Sequence, residues 1–164
     1  KVHVRLNFVF CEPNRRDFPD FVRLVASRWP RAEINVSIAS AFTDLVPKTP
    51  DLIPKYADVL PLLKEGLNIA QEANMKLIGF ESMCGIPLCL TPVDKRAHLA
   101  LAEIPEGHDG GEFVRTDACA TCDLSTRCFG LRRSYAELHG TSEPQPIVFT
   151  AQPHEPRSLD ALYE

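Results

Sequence analysis

Residues 2–10, VHVRLNFVF, set apolar Val2, Val4, Leu6, Phe8 and Phe10 against His3, Arg5, Asn7 and Val9, the two-residue period of a strand. CEPNRRD follows as a loop, with Asp17 as an N-cap and Pro19 in the first turn of a helix. In that helix Phe18, Phe21, Val22, Val25 and Trp29 recur at i, i+3, i+4, i+7 and i+11, and it stops before Pro30. INVSIASAF (34–42) alternates again, with Ile34, Val36 and Ile38 against Asn35, Ser37 and Ala39. Pro47, Pro50 and Pro54 break the chain ahead of a long helix over roughly residues 52–74, whose wide apolar face carries Val59, Leu62, Leu63, Leu67, Ile69 and Ala70. KLIGFES (76–82) reads as a third strand.

The order β-α-β-α-β argues for parallel βαβ units in an α/β layer, either an open sheet or a barrel. Parallel strands covered by helices on both faces read as unbroken apolar runs. Here one face of two successive strands carries His3, Arg5, Asn7, Asn35 and Ser37. A solvated face accounts for one such strand; for two, a polar-lined barrel interior holding a ligand is an equal expectation. Sites in barrels lie at the C-terminal strand ends. That places candidates at Cys11, Glu12 and Asn14 after the first strand, Thr43 and Asp44 after the second, and Glu81 after the third.

Beyond residue 83 the texture changes. MCGIPLCLTPVDK and residues 105–118 are rich in turn formers, and three cysteines then fall within ten residues, CATCDLSTRC. GLRRSYAELHG (130–140) returns to helical spacing through Leu131, Tyr135 and Leu138, with Gly140 as its stop. Residues 144–164, with Pro144, Pro146, Pro153 and Pro156, read as an extended or disordered tail. The expected organisation is a barrel-like part over 1–83 and a small cysteine lobe over 84–143. That lobe is poor in apolar residues, so metal coordination would supply much of its folding energy.

Composition narrows the class. The 164 residues are 45 % hydrophobic and 24 % charged, a globular balance with enough apolar material for a core. A net charge of −4 offers no basic field for nucleic acid. No apolar run approaches the ~20 residues that span a bilayer, so neither a membrane nor export is expected and the cytoplasm is the expected compartment. The chain opens on Lys1 directly in a strand-like run, which reads as a fragment.

The six cysteines, at 11, 84, 89, 119, 122 and 128, could form disulfides, but disulfide-dense chains are small, exported and poor in core. Clustered cysteines in a cytosolic-looking chain point instead to metal. Cys119 and Cys122 present two thiolates from one turn, and Cys128 is within reach of the same centre. Cys89, on the Gly85–Pro87 turn, is the first candidate for a fourth ligand and Cys84 the reserve, giving C-x29-C-x2-C-x5-C. Four thiolates suit zinc, whose ribbons more often use two short pairs, and they suit iron–sulfur clusters, whose larger cores tolerate uneven spacing.

GIPLC together with EFVRTDACATCDLSTRCFGLRRSYAELHGTSE resembles the C-terminal region of radical S-adenosylmethionine (radical SAM) proteins. In these a partial (β/α)6 barrel is followed by a SPASM or twitch-type extension that binds an auxiliary cluster. The resemblance rests on the GIP-x-C turn, CxxC, C-x-G at Cys128–Gly130, and the helix ending in Tyr135 and His139–Gly140. It covers roughly residues 2–145, with NFVFCEPN similar to a late barrel strand and its loop.

The resemblance implies an auxiliary [4Fe–4S] cluster held by Cys89, Cys119, Cys122 and Cys128, with Cys84 as the alternative. It further implies SAM and a second [4Fe–4S] cluster in the full-length protein. There, reductive cleavage of SAM gives a 5′-deoxyadenosyl radical that abstracts hydrogen from a peptide or small-molecule substrate. A flavodoxin or ferredoxin would be the electron donor. The family's CxxxCxxC loop is absent from this sequence, so this chain alone is not expected to cleave SAM. Strand-end position makes Asn14 and Glu81 the candidates on the SAM side.

Two other readings use the same residues. One is an α/β binding module with a structural zinc site made of four cysteines and no catalysis. The other is a hydrolase or transferase with Glu12, Asp44 and Glu81 as its acids. A Cys11–His3 nucleophilic pair ranks below both, since eight strand residues span ~26 Å. Arg127, Arg132 and Arg133 read as a solvated face, or as cations around an anionic cluster.

Overall fold

The computed structural model describes residues 2–41, 46–108 and 110–150. The expected end of the second strand at Phe42, the candidates Thr43 and Asp44, and the tail prolines Pro153 and Pro156 lie outside the described residues. Strands β1 (Arg5–Phe10), β2 (Glu33–Ile38) and β3 (Leu77–Ile78) form a parallel sheet in the order β1-β2-β3, with Phe8 opposite Val36 and Phe10 opposite Ile38. Helices α1 (Phe18–Arg28) and α2 (Tyr56–Glu72) pack on each other and on one face of the sheet. Period 2 in the strands and 3.6 in the helices bring Phe8, Phe10, Ile34 and Val36 against Phe18, Val22, Val59 and Leu63 in one core. Trp29 departs from the expected stripe: it follows the last helical turn and is half-exposed.

The architecture is α/β, but the sheet is small and open, and no barrel interior is formed among the described residues. The polar strand face that suggested such an interior carries its own pairings. Asn35 Nδ2 donates to Asn7 Oδ1 at 2.7 Å, while His3, Arg5 and Lys76 surround Glu33. The third strand is two residues long instead of seven. Gly79 to Gly85 leave it in turns, and Ile86 N–H returns to Phe80 O at 2.8 Å.

The second layer is built differently. A two-stranded antiparallel pair, β4 (Phe113–Val114) and β5 (Leu131–Arg132), brackets the cysteine-rich run, and helix α3 (Arg133–His139) follows. Leu131 and Tyr135 belong to the same core as the sheet. The Tyr135 ring stacks on Tyr56 with centroids 3.9 Å apart. Helix α2 has Lys55 at its N-cap position and no side-chain cap of its own. Tyr135 Oη accepts from Tyr56 N–H at 2.9 Å, and Glu143 Oε1 accepts from Ala57 N–H at 3.0 Å. Two of the donors that every helix start leaves unpaired are thus satisfied from some eighty residues away. Tyr135 in turn donates its hydroxyl proton to Glu143.

Candidate metal centre

Three short turns and one strap bring the thiols together. The first turn is set by Gly85, where an added Cβ would lie 1.9 Å from Phe80 O, so only glycine lets the chain fold back here. Pro87 then leads into a 3₁₀ turn, Leu88–Leu90, which carries Cys89. A second turn, Asp117–Thr121, carries Cys119 and delivers Cys122 at its end. A third, Ser125–Arg127, delivers Cys128. Gly130 follows at φ +88°, where a Cβ would meet Val114 O at 2.6 Å, which accounts for the glycine of the C-x-G motif. Residues 144–150, without regular secondary structure, pass over the opening: Asp123 N–H donates to Ile147 O and Phe149 N–H to Asp123 Oδ2.

Cys89, Cys119, Cys122 and Cys128 line one cavity of about 20 Å³, together with buried Leu88, Leu124 and Leu131. That is a little more space than one water needs. Three of the sulfurs accept backbone hydrogen bonds, and the fourth faces a hydroxyl. Cys128 Sγ takes Leu88 N–H and Gly130 N–H, both at 3.4 Å, and Cys122 Sγ takes Ile147 N–H at 3.4 Å. Cys89 takes the backbone N–H of Gln145, and Cys119 lies 3.6 Å from Thr116 Oγ1. Donors aimed at sulfur favour thiolates over thiols. Burial opposes them: it pushes the Cys89 thiol up to about 11 and raises Cys128, with the neighbouring cysteines adding to both. Four thiolates cannot share this space without a cation, so loading a metal here must release protons.

Among the described residues no three His, Cys, Asp or Glu side chains stand grouped to hold a metal ion. A single zinc with Zn–S bonds near 2.3 Å would need its sulfurs about 3.8 Å apart, in a closed tetrahedron. An iron–sulfur core lies between its thiolates and holds them further apart. Four thiols face one hollow here, the donor set that either group would use.

The other candidates are placed elsewhere. Cys84 is exposed, 3.8 Å from Arg132 Nη2, and does not line the cavity. Asn14 uses both ends of its amide on its own loop, accepting from Cys11 N–H and donating to Val9 O. Glu12 pairs with Arg15 at 2.8 Å. Glu81 keeps one buried carboxylate oxygen without a hydrogen-bond partner among the described residues. Arg127 is held by Leu101 O and Glu103, Arg132 by Glu112 and Met83 O, and Arg133 by Gly111 O.

One group had no signal in the cysteine spacing. Thr91 and His98, both buried, meet at 2.7 Å behind the Cys89 turn, and the Lys95 ammonium donates to Thr91 O. The local clue is Asp94, whose carboxylate caps the 3₁₀ turn Lys95–Ala100 through Arg96 N–H.

The fold and site define an α/β protein whose small second layer gathers four thiols around one cavity. The chain finds no significant match to any protein-family model, curated protein or solved structure.

Proposed function

We propose that this chain is the C-terminal portion of a radical SAM enzyme. In this reading Cys89, Cys119, Cys122 and Cys128 hold an auxiliary [4Fe–4S] cluster that supports radical-based modification of a substrate, with a peptide as the class the resemblance implies. The observation that carries the reading is the meeting of four cysteines from two distant segments on one cavity, with backbone donors at three of the sulfurs and the Thr116 hydroxyl beside the fourth.

When bound, the cluster would supply one-electron transfer, or a hold for substrate if one of its irons lacks a protein ligand. The chain's own residues do the rest. The turns around Gly85 and Gly130 fix the positions of Cys89 and Cys128. Leu88, Leu124 and Leu131 exclude water. The N–H groups of Leu88, Gly130, Gln145 and Ile147 stabilise charge on sulfur. The open three-stranded sheet would then be the last strands of a partial barrel, with its polar face turned to the barrel interior. On the SAM side, Glu81 has a buried oxygen without a partner among the described residues, whereas the Asn14 amide is engaged at both ends. SAM, its own cluster and a flavodoxin or ferredoxin donor belong to the same proposal.

The test is anaerobic reconstitution of the chain with iron and sulfide, followed by iron and sulfide analysis and by absorption and EPR spectra. About four irons and four sulfides per chain, absent in a Cys119→Ala/Cys122→Ala variant, are the expected result. One tightly held zinc without labile sulfide would replace this reading with the binding module built on a structural zinc.

A further inference from the structure

The basic residues that the sequence offers around the cluster, Arg127, Arg132 and Arg133, are engaged with carboxylates and carbonyls away from the cavity. A different cation stands behind it. Lys95 is half-buried, and its ammonium donates to the carbonyl and, at 3.3 Å, to the hydroxyl of Thr91. The Thr91 hydroxyl lies 2.9 Å from Leu88 O and 2.7 Å from His98 Nε2. Leu88 N–H then donates to Cys128 Sγ. The ammonium is thus tied to the same short turn that presents Cys89 and whose Leu88 N–H donates to Cys128 Sγ. Burial lowers the Lys95 pKa from its usual value, and the charge that acts against this is that of Cys89.

A cluster with four thiolates carries net negative charge that grows when it takes an electron. A fixed cation close by in a poorly hydrated setting stabilises the reduced form more than the oxidised one. A cation in open solvent does so less, because water and salt screen it. Arg115 provides that contrast: it lines the cavity but is exposed, with its guanidinium on Ser125 O.

We propose that Lys95 sets the reduction potential of the centre, as a half-buried positive charge hydrogen-bonded behind the Cys89 turn that holds the cluster at a higher potential than its thiolates alone would give. The proposal rests on the cluster reading above. Its test is a redox titration, followed by EPR, of the reconstituted full chain, with iron and sulfide content measured on the same samples. Wild type is compared with Lys95→Gln, Lys95→Met, Lys95→Arg and Arg115→Gln.

The expected result is full cluster content throughout and a midpoint shifted negative in Lys95→Gln and Lys95→Met. Lys95→Arg should return to near the wild-type value, and Arg115→Gln should shift less than Lys95→Gln. Unchanged midpoints in loaded Lys95→Gln and Lys95→Met would overturn the inference and leave the cluster reading standing. Loss of cluster from all three Lys95 variants would also overturn it, making Lys95 a clamp on the turn. Wild type that fails to take up iron and sulfide would defeat the cluster reading itself, and this inference with it.

Discussion

The sheet half and the cysteine lobe solve the same problem with different material. In the sheet half, two strands of six residues and helices of eleven and seventeen bury whole apolar faces. In the lobe the strands are two residues long, the remaining turns are mostly 3₁₀, and the interior is a hollow faced by sulfur. Hydrophobic burial therefore holds the first region, whereas the second leans on its docking to the first, and under the proposed reading a bound cluster would add to that. The docking is specific: Tyr135 and Glu143 cap α2, and the Nε2 of His139 lies 2.9 Å from Ile53 O.

The largest expected contrast comes from the reconstitution itself, read by hydrogen exchange. Loading should slow exchange of the Leu88, Gly130 and Ile147 amides by orders of magnitude while leaving the β1 and β2 amides as they were. Equal protection in both regions would mean that the lobe is not metal-dependent. Next in size is Leu63→Ala, which empties a fully buried site between α2 and the sheet. It should cost about 2–5 kcal/mol in denaturant unfolding and leave the iron content of the folded fraction unchanged.

Tyr135→Phe addresses the joint. It removes the acceptor for Tyr56 N–H and the donor to Glu143, and a cost of about 1–3 kcal/mol in chemical denaturation is expected. A neutral result would show that α2 does not need its distant cap. The smallest effect belongs to Glu33. Hydrogen bonds from Arg5 and then from His3 hold its carboxyl down to about 2, against an ordinary value of 4.5. A depressed folded value means that its contribution is complete above about 4.5 and is lost as pH falls toward about 2. Glu33→Gln should flatten that part of the acid-unfolding curve by a small amount, because the partner cations are exposed.

Much of the sheet half was legible from periodicity. The alternation of Leu6, Phe8 and Phe10 and of Ile34, Val36 and Ile38 marks the faces that are buried, and the spacing of Phe18, Val22 and Val25 marks the helix stripe. The failures occurred where periodicity stops carrying information. Trp29 fits the stripe but lies past the last turn, and KLIGFES reads as a strand although Gly79 turns out of it at φ +90°. The polar strand face was equally compatible with a barrel interior and with solvent, because alternation records which side is apolar but not what the other side meets. In the lobe, cysteine spacing together with the Gly85–Pro87 turn named four first candidates, Cys89 ahead of Cys84, and these four line one cavity.

The sequence by itself determined the periodic elements, the α/β order and the identity of the thiols, because those follow from residue type and short-range spacing. Only the tertiary structure decided that the sheet stays open, that Cys84 lies in solvent while Cys89 faces the cavity, and that α2 is capped by Tyr135 and Glu143. It alone placed Lys95 behind the Cys89 turn. Each of these depends on contacts between residues far apart in sequence or on the course of irregular turns, and neither leaves a period in the chain for local chemistry to reveal.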